Sequence, residues 1–191
     1  LPNNQPLNHK PGQFVEVSIF GYGEAPISIC SSPTKIPGFE LTVRKVGRIT
    51  DKMHQISTGG TIGIRGPFGN GFNVDQFKGK DIIFVCGGIG LAPLKSLIDY
   101  TIAKHKDFGR LIILYGTKSP LEILFKNDIK MWEKKNDIEF LMTVDHPDKN
   151  WKGNTGVITT LIPDLELDAE NTIVTVVGPP IMYKFVILSL K

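Results

Sequence analysis

Residues 82–86 (Ile-Ile-Phe-Val-Cys) form an uninterrupted apolar run that leads straight into glycines. Further strand-like runs occupy 111–115, 138–143 and 172–177. Between them, apolar residues recur at helical spacing, as at Leu94, Leu97, Ile98 and Ile102 within a segment over 93–105. Helices are likewise predicted near 121–134, 157–161 and 180–190. Apolar strands alternating with such helices predict a parallel sheet covered on both faces. The first part of the chain has another rhythm. Residues 14–20, rich in Val, Phe and Ile, follow the turn pair Pro11-Gly12, and 27–30 is a second extended run that Ser31-Ser32-Pro33 ends. Residues 39–46 alternate with a period of two, and 61–65 add a strand before the turn-rich Gly66-Pro67-Phe68-Gly69-Asn70-Gly71. Only 48–56, with Ile49, Met53 and Ile56 at helical spacing, reads as a helix here. The predicted fold class is β + α/β: an antiparallel β-barrel over residues 1–78, then a doubly wound parallel-sheet domain over 79–191.

Composition chiefly excludes. The 191 residues suffice for one large domain or two small ones, and the content is ordinary at 41% hydrophobic and 21% charged. A net charge of +3, without a basic run or aromatic ladder, argues against a nucleic-acid surface. No apolar run approaches the roughly 20 residues of a membrane span, and nothing resembles a signal peptide. Cys30 and Cys86 are too few for a disulfide framework, and the expected compartment is the cytoplasm. Residues 1–78 carry 8 Lys/Arg against 5 Asp/Glu, while 79–191 carry 14 of each. That small excess fits an anionic ligand in the first part. The chain starts at Leu1 rather than methionine and stops within an apolar-faced helix, so a fragment truncated at both ends is expected. His9, His54, His105 and His146 show no metal-ligand spacing and read as surface residues; no metal site, Ser–His–Asp set or carboxylate pair is evident.

The chemistry concentrates at Val85-Cys86-Gly87-Gly88-Ile89-Gly90-Leu91-Ala92-Pro93. Strand, glycine turn and helix start follow one another, with Gly87, Gly88 and Gly90 leaving backbone N–H groups open to a phosphate. Ala92 and Pro93 open the helix, where proline's missing N–H is not needed and the positive dipole end favours a pyrophosphate. Taken alone, such a turn is equally well explained by packing. Tyr115-Gly116-Thr117 ends the second strand of the same sheet, and nucleotides bind outside strand carboxyl ends.

Three motifs in fixed order resemble the ferredoxin–NADP reductase superfamily of FAD-dependent enzymes. Ala25-Pro26-Ile27-Ser28-Ile29 stands at that family's flavin element, Gly88-Ile89-Gly90-Leu91-Ala92-Pro93 at its nicotinamide-nucleotide pyrophosphate, and Gly178-Pro179-Pro180-Ile181-Met182 near its nicotinamide. The runs 11–33, 66–72, 124–126 and Trp151-Lys152-Gly153-Asn154-Thr155-Gly156-Val157 are similar to one branch, the flavin subunits of sulfhydrogenases, anaerobic sulfite reductases and dihydroorotate dehydrogenases. The resemblance implies an FAD site formed by Pro26, Ile27, Ser28, Ile29, Thr42, Val43, Arg44, Gly47, Ile49 and Thr50. It implies an NAD(P) site at Gly87, Gly88, Gly90, Ala92, Pro93, Tyr115, Gly116, Thr117, Asp145, Gly178, Pro179 and Met182.

The implied chemistry is hydride transfer between a nicotinamide and FAD without a catalytic side chain, followed by release of single electrons to an iron–sulfur partner subunit. Asp145, after the third strand, favours NADH, since a carboxylate repels a 2′-phosphate and accepts from a free ribose hydroxyl. Departures are expected to matter. Ala25 stands where an arginine commonly holds the FAD pyrophosphate, leaving Arg44 as the compensating cation; Ile27 replaces a flavin-stacking ring, and Val177 a cysteine. The four cysteines of a [2Fe–2S] cluster, expected in the full-length protein, are absent from this chain. Two alternatives stay open: a dihydroorotate dehydrogenase electron-transfer subunit, and a nucleotide-binding module without turnover.

Overall fold

In the computed structural model, described for all residues except 2–4, 36, 164 and 191, the chain divides into two compact units. One takes residues up to Phe72 together with Ala92–Ala103; the other takes Asn73–Leu91 and the chain from Lys104 onward.

In the first unit, strands β1 (Phe14–Ile19) and β2 (Gly23–Ser28) form an antiparallel hairpin that pairs Val15 with Ile27 and Val17 with Ala25. Strand β3 (Gly63–Phe68) pairs with the other edge of β1, giving the order β2-β1-β3. Alternation drives the arrangement. Val15, Val17 and Ile19 are buried while Phe14, Glu16 and Ser18 between them are only partly covered. Ile29, Leu41, Ile49 and Met53 pack on the same cluster, and each buried aliphatic side chain stabilises by about 1.5–3 kcal/mol. Helix α1 (Arg48–Met53) is where its spacing placed it. The antiparallel β element is present as this three-stranded sheet. The alternating run 39–46, however, is not a strand: it contributes one bridge, Leu41 to Ile29. Its period of two arises because Phe39 and Leu41 lean on the core while Glu40 and Arg44 are exposed.

The second unit is a five-stranded, all-parallel sheet in the order β7-β6-β5-β4-β8. Its strands are β4 (Asp81–Gly87), β5 (Leu111–Thr117), β6 (Ile138–Val144), β7 (Asn154–Thr155) and β8 (Thr172–Val177). Ile83, Val85, Ile112 and Leu114 pack with Ile158, Leu161, Ile162 and Val186. On the opposite side, Ile82, Phe84, Ile113 and Tyr115 are fully buried too. Central strands without a polar face therefore match the expected two-sided cover.

Helix α2 (Leu91–Ala103) begins two residues before Pro93, which still lies in the first turn. The helix expected over 121–134 is split into a short 3-10 turn at Pro120–Glu122 and α3 (Lys126–Trp132). The segment 157–161 is a 3-10 turn, and α4 (Pro180–Ser189) follows β8. Among the described residues, no helix is long and apolar enough to cross a membrane.

Candidate functional site

Sheet order decides where this fold can take a ligand. From β4 the chain steps outward to β5 and β6, then crosses back so that β8 lies on the other flank of β4. The order thus reverses between β4 and β8, and the crevice beyond the carboxyl ends at such a reversal is the usual binding place of open α/β sheets. Gly87, Gly88 and Gly90 leave β4 there, and Gly178, Pro179 and Met182 leave β8 there.

The glycines have three different reasons. Gly88 has φ +54°, a left-handed conformation, and a Cβ added to it would meet nothing within 4 Å. Its surroundings are open and its backbone alone demands glycine. Gly90 is the reverse: an added Cβ would stand 2.2 Å from the Val177 carbonyl oxygen and 3.2 Å from the Gly178 nitrogen. The space freed at Gly90 is filled by the backbone at the end of β8, so packing demands glycine there while the dihedral demands it at Gly88. Gly87 and Gly178 face each other, with the Met182 thioether wedged beside both: a Cβ on Gly87 would meet Met182 Sδ at 2.7 Å, and one on Gly178 would meet Cε at 2.4 Å. Met182 also ties the start of α4 down by donating its N–H to the Pro179 carbonyl, 2.9 Å. Two motifs some 90 residues apart in sequence are thereby one structural object.

At the end of β5, Tyr115 is fully buried, its hydroxyl accepting the Leu124 N–H at 3.2 Å. Burial pushes the phenol above its ordinary range. Gly116 gives room to Ile158, whose Cβ would lie 3.0 Å from an added methyl. The Thr117 side chain is buried. Beyond the strands, the Asp145 N–H donates to the Thr117 carbonyl (3.0 Å) and the His146 N–H to the Lys118 carbonyl (2.8 Å), which holds Asp145 exposed at the carboxyl edge.

In the first unit the candidate flavin residues do come together. The Ile29–Leu41 bridge brings Ser28 beside Thr42, whose hydroxyl is 3.3 Å from Cys30 Sγ, and His54 Nε2 lies 3.0 Å from the Val43 carbonyl. Their side chains differ in availability. Ile27, Ile29 and Ile49 pack on the core. The Thr50 hydroxyl is wholly engaged at the start of α1: it accepts from the Val46 and Gly47 N–H groups, both at 3.0 Å, and donates to the Gly47 carbonyl at 2.9 Å. Helix capping, the plainer role of Gly47 and Thr50, is therefore satisfied. Ser28 has no hydrogen-bond partner among the described residues, and Pro26 and Arg44 are exposed.

Two polar residues escaped the sequence. His9, expected at the surface, is 6% exposed with Nε2 3.0 Å from the Ser31 carbonyl, which also accepts the Ser96 hydroxyl at 2.8 Å. No local pattern announces a partner 22 residues away. Lys95 is buried on α2, paired with Asp99 one turn later; a lysine with an acid at i+4 was the only available clue.

Cys86 is fully buried and burial alone drives its thiol well up from an ordinary value of 9.0. Its folded pKa is raised, so the stability it supports is complete below pH 9 and drains away as pH climbs, because only the unfolded thiol ionises. Urea unfolding should weaken above pH 9 by about 1.4 kcal/mol per pH unit for this group, and Cys86→Ala should flatten that slope; an unchanged slope rejects the assignment.

An antiparallel β unit and a parallel α/β unit whose glycine turns meet at the strand-order reversal make up a fold of the ferredoxin reductase type. A family model for the oxidoreductase NAD-binding domain matches residues 84–187, and the chain belongs to this family. It is 44% identical over 193 residues to sulfhydrogenase 2 subunit gamma of Pyrococcus furiosus, a match covering 95% of this chain and 66% of that protein. It is 32% identical over 180 residues to the probable dihydroorotate dehydrogenase B (NAD(+)), electron transfer subunit, of the same organism, covering 94% and 63%. The chain thus spans slightly less than two thirds of these relatives. Among solved structures, a ferredoxin NADP+ reductase from Neisseria gonorrhoeae with bound FAD and NADP superposes with TM-score 0.76 at 20% identity, over 100% of this chain and 81% of that one. That likeness concerns the fold.

Proposed function

We propose that this chain is the flavin- and nicotinamide-binding part of an electron-transfer subunit in a multi-subunit oxidoreductase. It takes a hydride from NAD(P)H, and electrons leave singly to a partner subunit carrying iron–sulfur centres. The observation that carries the reading is the meeting of the Gly87–Gly90 turn with the Val177–Gly178 backbone at the strand-order reversal, within a chain of the oxidoreductase NAD-binding family.

Open space over Gly88 suits the close approach of a pyrophosphate, and the unpartnered Ser28 hydroxyl suits a flavin ring edge, so residues fit for both groups are present. When bound, FAD supplies the conversion of a hydride pair into single electrons. The chain's own residues bind and aim. Gly88 exposes backbone donors that favour the pyrophosphate. Gly178 and Pro179, backed by Met182, hold the nicotinamide end, and Tyr115, Gly116 and Thr117 line the carboxyl edge beside them. Asp145 accepts from a free ribose hydroxyl and opposes a 2′-phosphate, which favours NADH. In the first unit, Pro26–Ile29 and Thr42–Val43 border the flavin by backbone, Ser28 by its hydroxyl, and Arg44 answers the phosphate charge in place of the arginine missing at Ala25. The backbone of Gly47, Ile49 and Thr50 closes that border. No side-chain acid or base is needed for the hydride step. Residues 1–78 serve the flavin and 79–191 the nicotinamide nucleotide, in the cytoplasm.

Sulfhydrogenase-type and dihydroorotate dehydrogenase-type subunits share this machinery and differ in partner; the greater identity to the former favours it. A binding module without turnover is the second reading, favoured by Ile27 packing on the core where a ring would stack on a flavin. Purification with added FAD decides between them. The electron-transfer reading expects a yellow protein that reduces an artificial acceptor with NADH at a kcat/KM above that for NADPH. A colourless protein that neither retains FAD nor oxidises NADH overturns it.

A further inference from the structure

The outer flank of the parallel sheet is left partly bare. Strand β7 pairs with β6 only at Thr143 and Val144, so residues 138–142 have no strand on that side among the described residues. The 3-10 turn Ile158–Leu161 comes against β6 instead. Here lies a cavity of about 400 Å³, lined by Glu139, Leu141, Asn154, Thr155, Thr160 and Leu161. Its strand stands two places from β4 in the sheet, and Glu139 is near the amino end of β6, whereas the glycine turns leave the carboxyl ends of β4 and β8. The proposed function gives this cavity no task.

The polar atoms around the cavity are one-sided. Asn154 Nδ2 donates to the Met142 carbonyl (3.1 Å) and the Thr160 hydroxyl to the Val157 carbonyl (2.8 Å). The Arg110 guanidinium donates to Glu139 Oε2 (3.0 Å) and to the Glu166 carbonyl (2.9 Å). These donors are spent within the protein. Acceptors remain: the second oxygen of Glu139, the amide oxygen of Asn154, and the hydroxyl lone pairs of Thr155 and Thr160. Such a site asks for a ligand that only donates, as ammonium and guanidinium groups do. No group of three His, Cys, Asp or Glu side chains is placed to hold a metal among the described residues, and one carboxylate beside two leucines suits a hard cation poorly. Leu141 and Leu161 suit an alkyl stem, which lysine and arginine lay on apolar surface while their charged heads seek acceptors. We infer that this cavity binds the ammonium or guanidinium end of an alkyl chain, with its charge on Glu139 and its stem on Leu141 and Leu161. The bare edge of β6 favours a lysine or arginine of an extended partner segment, which pairs along the strand while its side chain enters.

The test titrates the full chain with butylamine, butylguanidine, acetyl-Val-Lys-Val-amide and acetyl-Val-Leu-Val-amide, following the Asn154 and Thr155 amide signals by NMR. The cationic probes shift both signals with a Kd of about 1 mM or tighter, as ligands of this size allow, and the leucine peptide binds at least about tenfold more weakly than the lysine peptide. Glu139→Gln weakens every cationic probe about tenfold, the loss of one charged hydrogen bond. Arg110→Gln has the opposite sign: it frees Glu139 Oε2 and tightens the same probes, which a purely structural role for the Arg110–Glu139 pair does not produce. A lysine peptide about tenfold tighter than butylamine supports the partner segment; equal affinities overturn that source and leave a free amine. Lysine and leucine peptides binding alike, or affinities unmoved by both substitutions, overturn the inference. So does a response to calcium ions with none to the amines.

Discussion

Gly90→Ala should destabilise the α/β unit by about 3 kcal/mol, at the upper end for an overpacked site. The added methyl would sit 2.2 Å from the Val177 oxygen and 2.7 Å from its carbonyl carbon. Both are backbone atoms of a strand hydrogen-bonded to β4 along its length, so neither can swing aside as a side-chain tip would. Relief requires sliding β8 against β4, which disturbs the pairs from Asp81–Thr172 to Cys86–Val177. Gly88→Ala is the internal control. It meets no atom and carries only the strain of a left-handed alanine, about 1–2 kcal/mol. Urea unfolding of the two variants checks this directly. Equal losses, or a greater loss at Gly88, would show that β8 does not press on the turn.

Tyr115→Ala has the second large effect, about 4 kcal/mol, because a fully buried ring is deleted from a central strand. Tyr115→Phe separates the ring from its hydroxyl. Leaving the Leu124 N–H without its acceptor costs about 1 kcal/mol, and the Leu124 amide should lose hydrogen-exchange protection while the β5 amides keep theirs. If both variants lose the same amount, the hydroxyl rather than the ring is what matters.

That hydroxyl also explains where the sequence misled. Apolar and helical spacing over 121–134 predicted one helix, yet the Leu124 N–H is claimed by Tyr115, and Phe125 turns left-handed at φ +50° to start α3 afresh. The competing bond comes from a strand nine residues earlier, which no local pattern contains. Strands β4 and β5 were legible because both their faces are buried, and α1 because its spacing serves one core. Strand β7 was illegible: Asn154 and Thr155 are polar and exposed, and their pairing depends on side-chain bonds from Asn154 and Thr143. Residues 39–46 show the opposite error, since alternation reports which side chains lean on a core and not whether a partner strand exists. For the candidate site, the glycine motifs could be found by type and spacing. Their differing causes, an unusual dihedral at Gly88 and a neighbour's carbonyl at Gly90, required the fold.

The contact between Gly90 and Val177 also orders events in time. A ribosome delivers residues 87–90 well before 172–178, and domains condense as their pieces emerge. Until the closing strand arrives, the glycine loop has no floor beneath it and is free to sample contours that the finished protein forbids. Synthesis halted at any point before Val177 would therefore leave a polypeptide with its fingerprint intact and its groove unshaped.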